Sequence, residues 1–320
     1  MNLTGIHHVT AVSAKIADNL DFYTRVLGLR LVKKSVNQDD VSAYHLFYAD
    51  KRGTPGTDMT FFDWPNIGRG RRGTDSISGT AFRVASREAL AFWIERFDAL
   101  SIKHGDILLF EGREMVSFED PEGQRLYLVN DRGAEFQGEI WPQPDIPDAY
   151  ALRGFYSVLL SVESNADLAV IFEEILGFSL VERARWIDNR TWVTIYSTTL
   201  SGGPGTEIWV IEEPGVQPGS LGAGGVHHVA FRVDDTDQQL IWRDNLLQAG
   251  LRVSPRIDRF WFESIYFRVS RGILFEIATD GPGFAIDEDP ENLGENLVLP
   301  PFLESRRAEI EGGLVPIPGG

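Results

Sequence analysis

A repeat at one fixed lag constrains this chain more than any other feature. Ala81-Phe82-Arg83-Val84 recurs as Ala230-Phe231-Arg232-Val233, 149 residues further on. Gly5 and Leu27-Gly28 recur at the same lag as Gly154 and Leu176-Gly177. Three independent landmarks at one lag imply duplication of a half-chain, and a duplication dictates architecture before any local propensity does.

Each half divides again. In every quarter a short apolar strand leads into an amphipathic helix, and strands rich in β-branched and aromatic residues follow. In the first quarter the strand from Ile6 to Val12 precedes Asp18, a candidate N-cap with Asp21 three residues later, and Gly28 stops the helix. Leu20, Tyr23, Val26 and Leu27 form its apolar stripe. The last quarter repeats the scheme, with a strand from Val229 to Val233, a cap at Asp235 and a stop at Gly250. The expectation is an α+β chain of four βαβββ modules closing into two curved-sheet barrels. The modules span 5–65 and 77–132 in an N-terminal domain 1–145, and 153–213 and 225–281 in a C-terminal domain 150–296. The Pro-rich segment from Trp141 to Pro147 reads as the linker, and 297–320 as a C-terminal arm.

Composition removes several functions. Without cysteine there are no disulfides, thiolate metal sites or cysteine nucleophiles, so any metal must take nitrogen and oxygen ligands. A net charge of −17 argues against nucleic acid as a partner. No stretch approaches the roughly 18 apolar residues that span a bilayer, and the N-terminus does not read as a secretion signal. A soluble cytoplasmic protein is expected, with homo-oligomerisation left open.

Two His-His pairs occupy the same place in their modules: His7-His8 on the first strand of the first, His227-His228 on the first strand of the last. Successive side chains on a strand face opposite sides. His227 shares parity with Val229, Phe231 and Val233, which read as core-facing, so His228 faces the concave side. By the same alternation Ile273, Phe275 and Ile277 face the core, and Glu276 the concave side. A carboxylate on so apolar a strand needs a ligand to offset its desolvation.

The lag then shows which modules share a site. Position 8 corresponds to Ser157, His228 to Gly79 and Glu276 to Tyr127. Gly272 stands four residues before Glu276 as Gly56 stands before Thr60, whose own counterpart is Trp209. Modules three and four together would hold Ser157, Trp209, His228 and Glu276. Modules one and four would hold His8, Thr60, His228 and Glu276. Only the second set offers two imidazoles, a carboxylate and open positions, the pattern of Fe(II) oxygenases, which also accepts Mn(II). Modules one and four are therefore expected to form the catalytic barrel, and two and three a non-catalytic one.

At these residues the chain resembles the vicinal-oxygen-chelate superfamily (glyoxalases, bleomycin-resistance proteins and extradiol dioxygenases), and within it the hydroquinone-type ring-cleaving dioxygenases. The resemblance covers nearly the whole chain. It rests on Gly5-Ile6-His7-His8-Val9-Thr10, on Gly225-Val226-His227-His228-Val229-Ala230, and on the runs 258–267 (DRFWFESIYF) and 272–284 (GILFEIATDGPGF). It implies Fe(II) held by His8, His228 and Glu276, with His7, Thr10, His227, Arg259 and Tyr266 around the metal or substrate. It also implies a small aromatic substrate and O2 as partners. His227 and Tyr266 are the candidates for moving protons, Arg259 for stabilising negative charge, and Phe260-Trp261-Phe262 for walling the pocket. Two other functions fit the same fold: a glyoxalase-like lyase or isomerase, which needs a fourth protein ligand where this chain has Thr60, and a metal-free small-molecule-binding protein.

Overall fold

The computed structural model describes residues 2–317. All four modules run βαβββ. The first comprises β1 (Ile6–Ser13), α1 (Ile16–Asp21, continued as a π-helical segment Phe22–Val26), β2 (Arg30–Asn37), β3 (Asp40–Ala49) and β4 (Asp58–Asp63). The second comprises β5 (Ser76–Val84), α2 (Arg87–Ala99), β6 (Leu108–Phe110), β7 (Arg113–Glu119) and β8 (Arg125–Asn130). The third has β9 (Phe155–Val162), α3 (Ala166–Ala169, with π-helical Val170–Ile175), β10 (Ser179–Arg185), β11 (Trp192–Ser197) and β12 (Glu207–Glu212). The fourth has β13 (Val226–Val233), α4 (Thr236–Gln248), β14 (Ile257–Asp258), β15 (Glu263–Val269) and β16 (Ile273–Thr279). Strands β1 and β9, strands β4 and β12, and helices α2 and α4 keep the 149-residue lag at both ends.

The strands form two curved eight-stranded sheets. One runs β14-β15-β16-β13-β1-β4-β3-β2, the other β10-β11-β12-β9-β5-β8-β7-β6. Modules one and four therefore share a sheet through antiparallel β1 and β13, and modules two and three share the other through β5 and β9. The main apolar core, which includes Tyr23, Trp93, Phe97, Phe172 and Phe231, fills the space between the sheets and their helices.

Helix starts follow local chemistry unevenly. Asp235 caps α4, its carboxylate accepting the N–H of Gln238, and Gly250 ends the segment at φ +83. Asp18 does not cap α1. The helix begins at Ile16 after Lys15, no side chain caps it, and Asp18 lies within its first turn. The hydroxyl of Ser13 takes the Lys15 N–H instead.

The concave faces of the two sheets are filled differently. In the sheet of modules two and three Trp209 is fully buried among Phe110, Tyr156 and Trp186, and its indole N–H donates to Glu207, which also pairs with Arg113. That cup is filled by apolar side chains around the Arg113–Glu207 pair. The arm bonds to the outer strand of the other sheet, where the Val298 N–H donates to the Lys34 carbonyl at 2.9 Å, and Ile310 is buried beyond it. Among the described residues no helix is long and apolar enough to cross a membrane.

Candidate metal centre

Sheet register places the four equivalent positions without ambiguity. Two residues beyond His228, Ala230 pairs with Glu276; two beyond His8, Thr10 pairs with Thr60. In the other sheet Leu159 pairs with Trp209 and Ala81 with Tyr127. Thr60, Trp209 and Tyr127 thus occupy the place of Glu276 in modules one, three and two, as the gap-free lag requires.

His8, His228 and Glu276 meet in the cup of modules one and four. His8 Nε2 lies 3.2 Å and His228 Nε2 2.9 Å from Glu276 Oε2, and the two Nε2 atoms are 3.3 Å apart. All three side chains are buried. Glu276 Oε1 accepts the Ser264 hydroxyl, but Oε2 makes no well-aligned hydrogen bond despite its close neighbours. Three lone-pair-bearing atoms thus point at one spot, an arrangement that is unfavourable unless a cation stands there. Ligands about 2.1 Å from an ion and at right angles to one another lie about 3.0 Å apart, so the spacing suits one divalent metal. Glu276 is buried, which alone would raise its pKa, yet His8 and His228 hold its carboxyl well below the usual range. Burial also opposes a charge on His8, but Glu276 outweighs it and raises the imidazole, whereas burial prevails at His228 and lowers it.

The neighbouring histidines sit where strand alternation predicts something else. Between β1 and β13 the pairing steps from Ile6–Phe231 to His8–Ala230, and from Thr10–His228 to Ala11–Val226. His7 and His227 are therefore the extra residues of two β-bulges, which suspend the alternation and let each stand beside its neighbour. Nδ1 of His7 is 2.9 Å from Nδ1 of His8, and Nδ1 of His227 is 2.7 Å from Nδ1 of His228. The expectation that His227 packs on the core face with Val229 fails for this reason. Its ring lies against His228, Phe62 and Trp64. The other sheet has the same two bulges, at Ser78 and Tyr156.

Hydrogen-bond logic fixes the tautomers on the first-module side. The Thr279 carbonyl can only accept, so His7 Nε2, 3.1 Å away, carries hydrogen. Burial keeps His7 neutral, its pKa well below normal, so His7 Nδ1 accepts and His8 Nδ1 donates. The Nε2 lone pair of His8 is thereby aimed into the cup, the usual second contact of a metal-bound histidine.

The pocket beside these three residues is lined by Thr10, His45, Arg259 and Tyr266, with Phe47, Phe62, Trp261 and Phe262 as apolar walls. His7 and His227 stand behind His8 and His228 and do not line it. Tyr266 pairs across the ladder with Glu276, and its ring centroid is 5.7 Å from that of His228. Burial first, and Glu276 second, push its phenol up, so it stays protonated at neutral pH. The Arg259 guanidinium lies 5.5 Å from the Tyr266 ring centre and pairs with Asp39 at 2.9 Å, on the β2–β3 turn. Thr10 accepts the hydroxyl of Thr60 at 3.0 Å.

Two residues escaped the sequence reading, one half-buried and one buried. His45 on β3 bonds through Nε2 to Thr60 Oγ1 at 2.8 Å, and strand parity with Phe47 was its only signal. Asp58 pairs in register with His8 on β4.

Residues 5–128 and 156–287 match the family described as the Glyoxalase/Bleomycin resistance protein/Dioxygenase superfamily. The "Putative ring-cleaving dioxygenase MhqA" of Bacillus subtilis is 44% identical over 317 residues, covering 99% of this chain and 100% of that one. The "Chlorohydroquinone/hydroquinone 1,2-dioxygenase" of Sphingobium indicum is 31% identical over 311 residues, covering 96% and 94%. Among solved structures a "putative dioxygenase" from Bacillus subtilis superposes with TM-score 0.90 at 37% identity, covering 100% of this chain and 99% of the other. The chain belongs to the glyoxalase/bleomycin resistance protein/dioxygenase superfamily and, within it, to the ring-cleaving dioxygenases.

Proposed function

We propose that the chain is an Fe(II)-dependent, extradiol-type dioxygenase that opens the ring of a hydroquinone or related aromatic diol with both atoms of O2. The observation that carries this is the convergence of His8 Nε2, His228 Nε2 and the unsatisfied Glu276 Oε2 on one buried spot. Two imidazoles and one carboxylate suit Fe(II), and Mn(II) fits the same donors. The hydroquinone assignment rests on the relative from Sphingobium indicum, whose name carries that substrate. A glyoxalase-like reaction would want a fourth protein ligand at Thr60, but that hydroxyl is engaged with Thr10 and His45. A cytoplasmic setting agrees with a cysteine-free chain.

Fe(II) bound here would supply a common site where an ionised diol oxygen and dioxygen meet and exchange electron density. The protein's own groups do the rest. Thr60 donates to Thr10, so His45 Nε2–H donates to Thr60 and the lone pair remains on His45 Nδ1. Burial holds His45 neutral, well below its usual pKa, so its Nδ1 is free to accept a hydrogen bond from a diol hydroxyl. The Tyr266 phenol, kept protonated, donates to oxygen on the reacting side. Arg259 stays charged despite its burial, paired with Asp39, and it offsets negative charge gathering on the substrate. The aromatic walls exclude water and offer apolar surface to the substrate ring. His7 and His227 act indirectly, by orienting the imidazoles in front of them.

The test is anaerobic reconstitution with Fe(II), then oxygen uptake against a panel of hydroquinones and catechols. Uptake should be fastest with hydroquinones. His8→Ala, His228→Ala and Glu276→Ala should each lose both bound iron and uptake, with far-UV circular dichroism unchanged. Full iron and normal turnover in any one variant would remove that residue from the ligand set. A kcat/KM for catechol well above that of every hydroquinone would overturn the substrate assignment.

A further inference from the structure

A chain of net charge −17 concentrates arginine at one place. A cleft of about 660 Å³ opens behind the metal cup, between the crossover segments that join the two sheets and the β7–β8 and β15–β16 turns. Arg69, Arg71, Arg72, Arg125, Arg268 and Arg271 line it, against only two carboxylates, Asp75 and Glu122. Glu119 engages Arg72, and Glu163 engages Arg271. Arg69, Arg71, Arg125 and Arg268 have no ion-pair partner among the described residues, although the chain carries 47 carboxylates. Glu122 already accepts the backbone N–H of Ala14. Arg71 and Arg268 donate only to the Pro218 and Gly272 carbonyls, so the cleft keeps an excess of positive charge that an anion would offset.

Two further observations mark the cleft as built. Gln124 lines it at 2% exposure, and neither its amide nitrogen nor its amide oxygen has a hydrogen-bond partner, a costly state for a buried amide. The backbone carrying Arg69, Arg71 and Arg72 is also held in place. It pairs with the opposite crossover at Ala223, Ser220 and Pro218, so closely that a Cβ on Gly73 would meet Gln217 O at 2.1 Å. The guanidinium groups therefore project from a fixed ladder. The volume lies in the range of small-molecule sites.

We propose that this cleft binds a small organic molecule bearing two or more anionic oxygen groups, carboxylate or phosphate, between arginines contributed by the two halves of the chain. Guanidinium forks match both groups in the same way. His227 also lines the cleft while its Nδ1 rests 2.7 Å from Nδ1 of His228, so the occupant sits one imidazole away from the metal cup. The inference is independent of ring cleavage and is tested without it.

Isothermal titration of the metal-loaded chain in low-salt zwitterionic buffer would use citrate and pyrophosphate as probes, with acetate at matched ionic strength as the control. Saturable binding of at least one probe, one per chain and weakening with salt, is expected, while acetate should not saturate. The stronger of the two probes tells carboxylate from phosphate. Arg69→Gln and Arg268→Gln should each weaken it by about fivefold or more, with the ligand-free melting temperature unchanged. Arg268 is exposed near the end of β15, away from the crossover backbone, so its variant remains informative if Arg69→Gln disturbs the crossover. The proposal is overturned if neither probe saturates by about 10 mM. It is equally overturned if both variants bind as tightly as the parent, or if a single-stranded oligonucleotide outcompetes both small anions.

Discussion

Asp58 stands beside His8 in the sheet at 1% exposure, and neither of its carboxyl oxygens has a hydrogen-bond partner. Burial pushes it up from 3.8 to about 7 in the metal-free chain, against a smaller lowering by His8. A carboxyl whose folded pKa is raised contributes stability that is complete below about 3.8 and is lost as the pH climbs through about 7. About three units correspond to roughly 4 kcal/mol, of which an asparagine, itself a buried amide, would recover about 1–3. Asp58→Asn in the metal-free chain should therefore be nearly neutral near pH 4 and clearly stabilising near pH 8 in urea unfolding. A gap that stays flat across that range would show that Asp58 is satisfied in solution. At Tyr266 the expectation concerns rate: Tyr266→Phe should keep its iron and lose about 10²–10³ in kcat, the usual worth of a positioned proton donor. Unchanged kcat would take Tyr266 out of the chemistry. His228 and Glu276 were legible because alternation along a strand is a local property. His7 and His227 were not, because a bulge is defined by the partner strand, 220 residues away for the pair His8 and His228. His45 was hidden as a single histidine with no repeat to mark it.

Among the helices, the division runs between modules. Ser86 and Asp235, 149 residues apart, cap α2 and α4 by accepting the N–H three residues on. α1 and α3 have no side-chain cap, and both pass into π-helical turns. Asp235→Ala should cost about 1 kcal/mol, whereas Asp18→Ala, which removes only a charge from a first turn, should cost less than about 0.5. Equal losses in paired urea titrations would contradict that division. The α4 start was readable because the cap, the N–H that donates to it and the following polar turn are contiguous in sequence. The α1 start was misplaced because an acidic residue looks the same whether it precedes the first turn or lies within it. The turn between β2 and β3 was also opaque: Gln38 and Asp39 hold Arg259 from 220 residues away, the Gln38 amide donating to its carbonyl.

At the scale of the whole chain, neighbouring elements usually pair, yet modules one and four share one sheet while two and three share the other. That arrangement was readable only because chemistry overrode proximity: no other pairing of modules gathers three metal-ligand side chains. We propose that 1–145 and 150–296 are units of duplication and 297–320 an arm, while the sheets are the units of packing. The duplication left one cup filled by Trp209 and the other lined by His8, His228 and Glu276. The arginine cleft could not be read beforehand, since four loops from both halves build it. Under the proposed function, the cup assembled from the two ends of the chain opens an aromatic ring with both atoms of O2. Mass spectrometry of the product formed from hydroquinone under ¹⁸O₂ by the Fe(II)-loaded chain separates ring opening from simple oxidation. A ring-opened product carrying two labelled oxygens is predicted, and unlabelled quinone with hydrogen peroxide would contradict it.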